Sequence, residues 1–171
     1  MIELKEQIFC TDKQLNNKEM NAIKRFFSTD QQSWSLLIVR IALGVVILPH
    51  GMQKVFGFFG GYGFSGTIGF FASIGVPFIL ATLVILAEFV GSLGVLFGAG
   101  TRFMAFSIFT SMTGAVILGG HIHNGFFMNW YGTQHGEGIE YFILVLGLAL
   151  ALIIGGSGKF SIDNCISKKL K

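Results

Sequence analysis

Four long apolar runs, at about residues 35–53, 76–97, 103–120 and 139–155, dominate this sequence and carry little charge. Crossing the hydrocarbon core of a bilayer, roughly 30 Å thick, takes about 20 predominantly apolar residues in a helix. In lipid, a backbone satisfies its polar groups only within a helix or a closed barrel. The runs therefore predict an all-α fold, a transmembrane four-helix bundle. The last run is short for an average bilayer, so hydropathy bounds its ends least sharply. Composition agrees: 52% of residues are hydrophobic and 12% charged, against about 25% charged in a soluble domain.

The basic residues set the expected orientation. Lys5, Lys13, Lys18, Lys24 and Arg25 precede the first run, Arg102 separates the second from the third, and Lys159, Lys168, Lys169 and Lys171 follow the fourth. These fall on one side of the membrane; Lys54 falls on the other and Arg40 lies within a span. Basic segments stay inside, so both termini are expected in the cytoplasm of a multi-pass protein of the cytoplasmic membrane. The net charge of +3 is read as this topology signal, not as a nucleic-acid surface, and the bilayer is the first partner. Three regions follow: a polar N-terminal extension over 1–33, the four-span domain over 34–160 and a basic tail over 161–171. Within the extension, Ile23, Phe26 and Phe27 beside Lys24 and Arg25 form a weak amphipathic pattern suited to a membrane surface. The extension lacks the pattern of a cleavable signal, so the first run is expected to remain in the membrane. Cys10 and Cys165 have no CxxC spacing or metal-ligand companion.

Two loops lie on the expected outer side. The first, 56–75, is rich in Gly and Phe, and its second half, about 64–74, is expected to form a short interfacial helix. It also contains a GxGxxG match at Gly61, Gly63 and Gly66, followed by Glu88. No βαβ unit surrounds it, so the dinucleotide reading fails. The second loop, 121–138, carries Trp130, Tyr131, three histidines and Glu137, with aromatics suited to the headgroup level.

Ionisable groups inside spans face the bundle interior and find partners. Counted inward at about 1.5 Å per residue, Arg40 and Glu88 come to similar depth, which predicts an Arg40–Glu88 ion pair. Arg40, Leu43, Ile47, His50 and Lys54 follow helical spacing along one face of the first span, and Pro49 should bend it. Ser107, Thr110, Ser111, Gly114, Leu118 and His121 form a small, hydroxylated stripe on the third, and Glu140 opens the fourth. Gly94 and Gly98 read as a close-packing GxxxG seam. An outer cluster of His50, Lys54, His121 and Glu140 is thus expected above the deeper pair.

Such a cluster admits several chemistries. His50, Lys54 and His121 suit the oxygens of a quinone headgroup, with Glu140 and Glu88 as candidate catalytic proton carriers. A haem between His50 and His121 is a lesser alternative. A metal bound by histidines with Glu137 or Glu140 lacks any HxxxH or ExxH pair, so none is assigned. The remaining alternative is structural: polar side chains that only set helix register.

The segments RIALGVVILPHGMQKVFG, ILAEFVGSLGVLFGAGTRF, HNGFF with GIEYFILVLGLAL, and GKFSID, in this order over about 36–163, resemble the DoxX-like family of small four-span membrane proteins. The matching positions are Arg40, His50, Gly51, Lys54, Glu88, Gly91, Arg102 and Glu140. The resemblance implies a bundle of four helices in the cytoplasmic membrane. Some relatives are subunits of a thiosulfate:quinone oxidoreductase, and others are tied to quinone or catechol stress or to oxidant-defence complexes. The expectation is a quinone-linked redox membrane subunit. Because no side chain here carries electrons, it works with a bound quinone and a membrane or redox protein partner. The alternatives are a non-catalytic scaffold or assembly factor and, third, a small transporter, against which stands the lack of an inverted repeat. Substrate and oligomeric state are not specified by these residues.

Overall fold

The computed structural model describes Met20 and residues 29–169. The amphipathic pattern at Ile23–Phe27 and most of the N-terminal extension lie outside the described residues. The described elements are helices: Trp34–Phe56 (α1), a 3-10 turn at Phe58–Gly60, Gly63–Ser73 (α2), Phe78–Phe97 (α3), Thr101–Leu118 (α4), a 3-10 turn at His121–Asn124, Glu140–Gly155 (α5) and Ile162–Lys169 (α6). The short helix expected over 64–74 appears as α2. Helix α1 runs on to Phe56 and carries Pro49 inside it without interruption.

Helices α1, α3, α4 and α5 close into a ring in which α1 packs on α3, α3 on α4, α4 on α5 and α5 back on α1. Successive helices of the ring run antiparallel, as in an up-down bundle; a short turn at 98–100 joins α3 to α4, whereas the connections at 57–77 and 119–139 are long. Three of the four, α1, α3 and α4, are long and apolar enough to cross a membrane. Helix α5 has 16 residues, about 24 Å at the helical rise, and spans only with its flanking residues or a locally thinned bilayer.

The core is drawn from one face of each bundle helix: Leu43 and Ile47 from α1, Val95 from α3, Ala105, Ile108 and Met112 from α4, and Val145, Ala149 and Leu152 from α5. Residues three and four apart share a helix face, which is why these positions meet. The opposite faces are equally apolar: Ile38, Ile41, Val45, Leu83, Leu86, Phe106 and Leu144 are exposed. A helix apolar all round belongs in lipid, and so much exposed apolar surface would not stay monomeric in water.

The close seam is not the one the GxxxG spacing suggests. Gly44 and Gly51 bring α1 against α3: a Cβ at Gly51 would lie 2.6 Å from the Phe89 Cα and 2.9 Å from the Glu88 carbonyl carbon. Gly94 instead faces Met104 of α4, and Gly98 ends α3 in the left-handed conformation with the Arg40 guanidinium against it. Spacing alone reports that small residues share a face, not which neighbour that face meets.

The end of the bundle where α1 begins and α5 finishes, called the near end here, is bound together by α6. Asp163 accepts from the backbone N–H groups of Gly100 (2.7 Å) and Thr101 (2.8 Å) at the start of α4. These are among the donors that a helix N-terminus leaves without intrahelical partners. The segment after residue 160 thus opens with a buried helix cap.

Candidate functional site

At the far end, opposite α6, the Gly44–Gly51 seam sets the level of α1 against α3. Gly51 lies against Glu88 and Phe89, so Lys54, one turn further along α1, stands beside the Glu88 side chain. The Lys54 ammonium and the Glu88 carboxylate form an ion pair, with the two side chains 25% and 3% exposed. Ser111 of α4 donates to the second Glu88 oxygen at 3.4 Å, and the Thr67 hydroxyl of α2 reaches the Lys54 carbonyl at 3.5 Å. Glu88 is therefore joined to α1 and α4, and Lys54 to α2 and α3.

The expected Arg40–Glu88 pair is not formed. Arg40 is buried at the near end, where it donates to the carbonyls of Lys159 (3.2 Å) and Phe160 (2.9 Å). Depth counting failed because it took Lys54 and residue 76 as level, whereas Glu88 itself stands beside Gly51, about 16.5 Å along α1 from Arg40. Helix α3 begins about 15 Å beyond Glu88, whereas α1 stops only about 7.5 Å past Gly51. Helix α2 and its leading turn fill the step above the shorter helix. Gly61 of that turn fits only as glycine, since a Cβ would lie 2.4 Å from the Gln53 carbonyl oxygen.

Between α1 and this step opens a cleft of about 280 Å³, lined by Gln53, Lys54, Gly60, Gly61, Tyr62, Thr67, Phe70 and Phe71. It resembles many small-molecule sites in combining aromatic walls with a few polar groups, near the small end of their size range. Lys54 is the charged residue of its lining, and the ion-paired Glu88 lies behind it.

The other expected residues divide. His50 stays with the ion pair, within electrostatic reach of Lys54 and Glu88, and its ring packs on Tyr141 of α5 with centroids 5.9 Å apart. His121 and Glu140 turn to the loop between α4 and α5. His121 Nδ1 meets the Glu137 carbonyl at 2.8 Å, and its ring stacks on Phe142 at 4.5 Å. The Glu140 carboxylate accepts from the Met128 N–H at 3.3 Å, while its own N–H donates to the Phe126 carbonyl. Glu137 holds the same loop by accepting from the Asn129 N–H. The expected outer cluster of four is thus two groups, His50 with Lys54 at the ion pair and His121 with Glu140 in the loop.

The two imidazoles pack on different rings, Tyr141 and Phe142, which diverge from adjacent positions on α5. They do not face one another as the two axial ligands of a haem must. Among the described residues, no group of three or more His, Cys, Asp or Glu gathers to hold a metal. The hydroxylated stripe of α4 also divides: Ser111 turns to Glu88, while Thr110 is exposed and bonds its own helix.

Thr67 and Tyr141 escaped notice in the sequence. Thr67 sits in a segment read only as interfacial, and Tyr141 follows Glu140, which drew attention by its charge. The signal for Tyr141 is a phenol at the start of an otherwise apolar span.

Comparison with known proteins follows the same residues. The DoxX family model matches residues 35–121, from the start of α1 to the end of α4. Inner membrane protein YqjF of Escherichia coli (strain K12) is 30% identical over 139 residues, covering 78% of this chain and 93% of that protein. No solved structure matches.

Proposed function

The chain belongs to the DoxX family, and from that premise we propose that it is a quinone-linked redox subunit of the inner, cytoplasmic membrane. The observation that carries this reading is the aromatic cleft with Lys54 in its lining and the buried Glu88 behind it. The donor set suits a flat ring bearing oxygens: Tyr62, Phe70 and Phe71 offer apolar and π surface, and Gln53 and Lys54 offer N–H donors. The quinone, when bound, supplies the two-electron, two-proton redox chemistry.

The chain's own residues bind, orient and move protons. The Lys54 ammonium holds a ring oxygen by a charge-assisted hydrogen bond. Glu88, paired to Lys54, is the proton carrier in this reading, and Ser111 orients it. His50 adds a second titratable group next to the pair. His121 and Glu140, candidates for the same chemistry, act here by holding the loop in place. A redox protein partner or soluble reductant delivers or removes the electrons, because no side chain here does so.

Basic-residue bias supports an orientation with both termini cytoplasmic: Arg102, Lys159, Lys168 and Lys169 lie toward the near end, and Lys54 at the far end is ion-paired. The cleft then opens toward the outer leaflet.

One observation favours a scaffold as the second reading. Glu137, Glu140 and His121 all bond to loop backbone, leaving Trp130 and Tyr131 exposed. Purification in mild detergent followed by lipid extraction and quinol turnover separates the two. The redox reading expects co-extracted quinone and loss of turnover in His50→Ala. The scaffold reading expects no quinone, unchanged turnover and a co-purifying protein lost in His121→Ala.

A further inference from the structure

Phe160 holds a backbone conformation that suits glycine. Its φ is 51°, in the left-handed region where a bulky side chain is strained. Gly158, two residues earlier, adopts the same region at φ 69° without that cost. The turn is imposed from beneath. The buried Arg40 guanidinium donates to the carbonyls of both Lys159 and Phe160, and the Lys159 N–H donates to the Ser33 carbonyl at 3.2 Å. The Phe160 ring does not offset the strain by filling the core, because it is 68% exposed. It meets the ring of Trp34, itself 56% exposed, edge to face with centroids 5.7 Å apart.

The Lys159 ammonium stands over both rings, 4.3 Å from the Trp34 centroid and 5.2 Å from that of Phe160. Cation–π attraction holds the ammonium there, while a lysine with three N–H donors keeps some of them for a ligand. Among the described residues no carboxylate pairs with it. Trp34 opens α1, so the cluster sits at the near end, where a span passes from hydrocarbon to headgroups. A cation with no protein counter-ion, set against two exposed aromatic rings at that level, fits a phosphate oxygen above and acyl chains beside it.

We propose that Lys159, Trp34 and Phe160 form a binding site for the headgroup of an anionic phospholipid in the leaflet at the near end. The site is separate from the far-end cleft and does not depend on the quinone reading. In a zwitterionic lipid the headgroup's own cation competes with Lys159 for the phosphate. In phosphatidylglycerol nothing does, so the site selects lipids by charge.

The chain has two tryptophans, Trp34 and Trp130, so Trp130→Phe leaves Trp34 as the reporter. The full-length Trp130→Phe protein is reconstituted in equimolar phosphatidylglycerol and phosphatidylcholine, with brominated acyl chains on one lipid or the other. Trp34 quenching then gives the relative affinity for the two lipids. The expected preference for phosphatidylglycerol is about fivefold, the effect of one lysine at an anionic surface. Adding Lys159→Gln, which leaves the backbone bonds of the turn in place, should abolish it. Adding Phe160→Gly, which keeps the turn and removes its strain, should lower the preference while the thermal midpoint in detergent holds or rises. Adding Lys168→Gln with Lys169→Gln, which takes two charges from the same end, should leave most of it.

Equal quenching by the two lipids overturns the proposal, as does a full preference in the Phe160→Gly protein. A preference that survives Lys159→Gln, or one lost with Lys168→Gln and Lys169→Gln, also overturns it by tracing the effect to the general charge of this end. If excess inorganic phosphate removes the preference where chloride of equal ionic strength does not, the site takes a free anion and the lipid assignment falls.

Discussion

Replacing Gly51 with alanine adds one methyl group at the closest backbone approach between α1 and α3. The added Cβ would stand 2.6 Å from the Phe89 Cα, 2.7 Å from its nitrogen and 2.9 Å from the Glu88 carbonyl carbon. All three are backbone atoms, so no rotamer change relieves the contact. Carbon atoms rest about 3.5 to 4.0 Å apart, so the helices must separate locally by roughly 1 Å. Overpacking of this kind costs about 1–3 kcal/mol. At about 2–4 °C per kcal/mol for a chain of this size, the thermal midpoint should fall by roughly 2–12 °C. The same separation lengthens the Lys54–Glu88 contact one turn away, so ligand binding should weaken together with stability. Gly114→Ala is the control, because nothing lies within 4 Å of its added Cβ and alanine is the better helix former by about 0.5–1 kcal/mol. Thermal denaturation in one detergent, followed by circular dichroism, measures both variants. If Gly51→Ala melts with Gly114→Ala or above it, the seam is not what sets the helix register.

A double-mutant cycle between Lys54→Met and Glu88→Gln should show strong coupling, because Lys54→Met leaves the buried Glu88 carboxylate without its partner, at about 3–5 kcal/mol. The corresponding Arg40→Met and Glu88→Gln cycle should be additive within about 0.5 kcal/mol. Coupling in the second cycle would restore the pair that depth counting suggested. Asp163→Ala, which removes the acceptor for the Gly100 and Thr101 N–H groups, should cost about 1–2 kcal/mol as a lost helix cap. Unfolding that begins elsewhere, with hydrogen exchange at the start of α4 unchanged, would contradict that role.

Much of the fold was legible because lipid imposes simple rules. Length and apolarity located all four bundle helices within a few residues, and the helical 3-4 spacing placed Leu43 and Ile47 in the core. The short helix after the first span was also recoverable, since its segment is too apolar to remain a solvated loop. The site was only partly legible. Lys54, Glu88 and His50 were recognised as polar groups a membrane protein does not place idly, yet their partners were not. Gly51 carried no charge and drew no structural role, although it decides which residues meet.

The one-dimensional pattern alone determined that this chain lives in a bilayer as an all-helical bundle, because hydrophobic length and backbone satisfaction are local requirements each segment meets by itself. Which charge pairs with which was decided by tertiary structure. The pairing depends on the relative heights of two helices, set by a glycine contact between backbones distant in sequence. A short helix over the end of α1 compensates for the offset. Gly51, level with Glu88, lies eleven residues and about 16.5 Å of rise from Arg40, so Glu88 pairs with Lys54 and Arg40 is left to hold the near end.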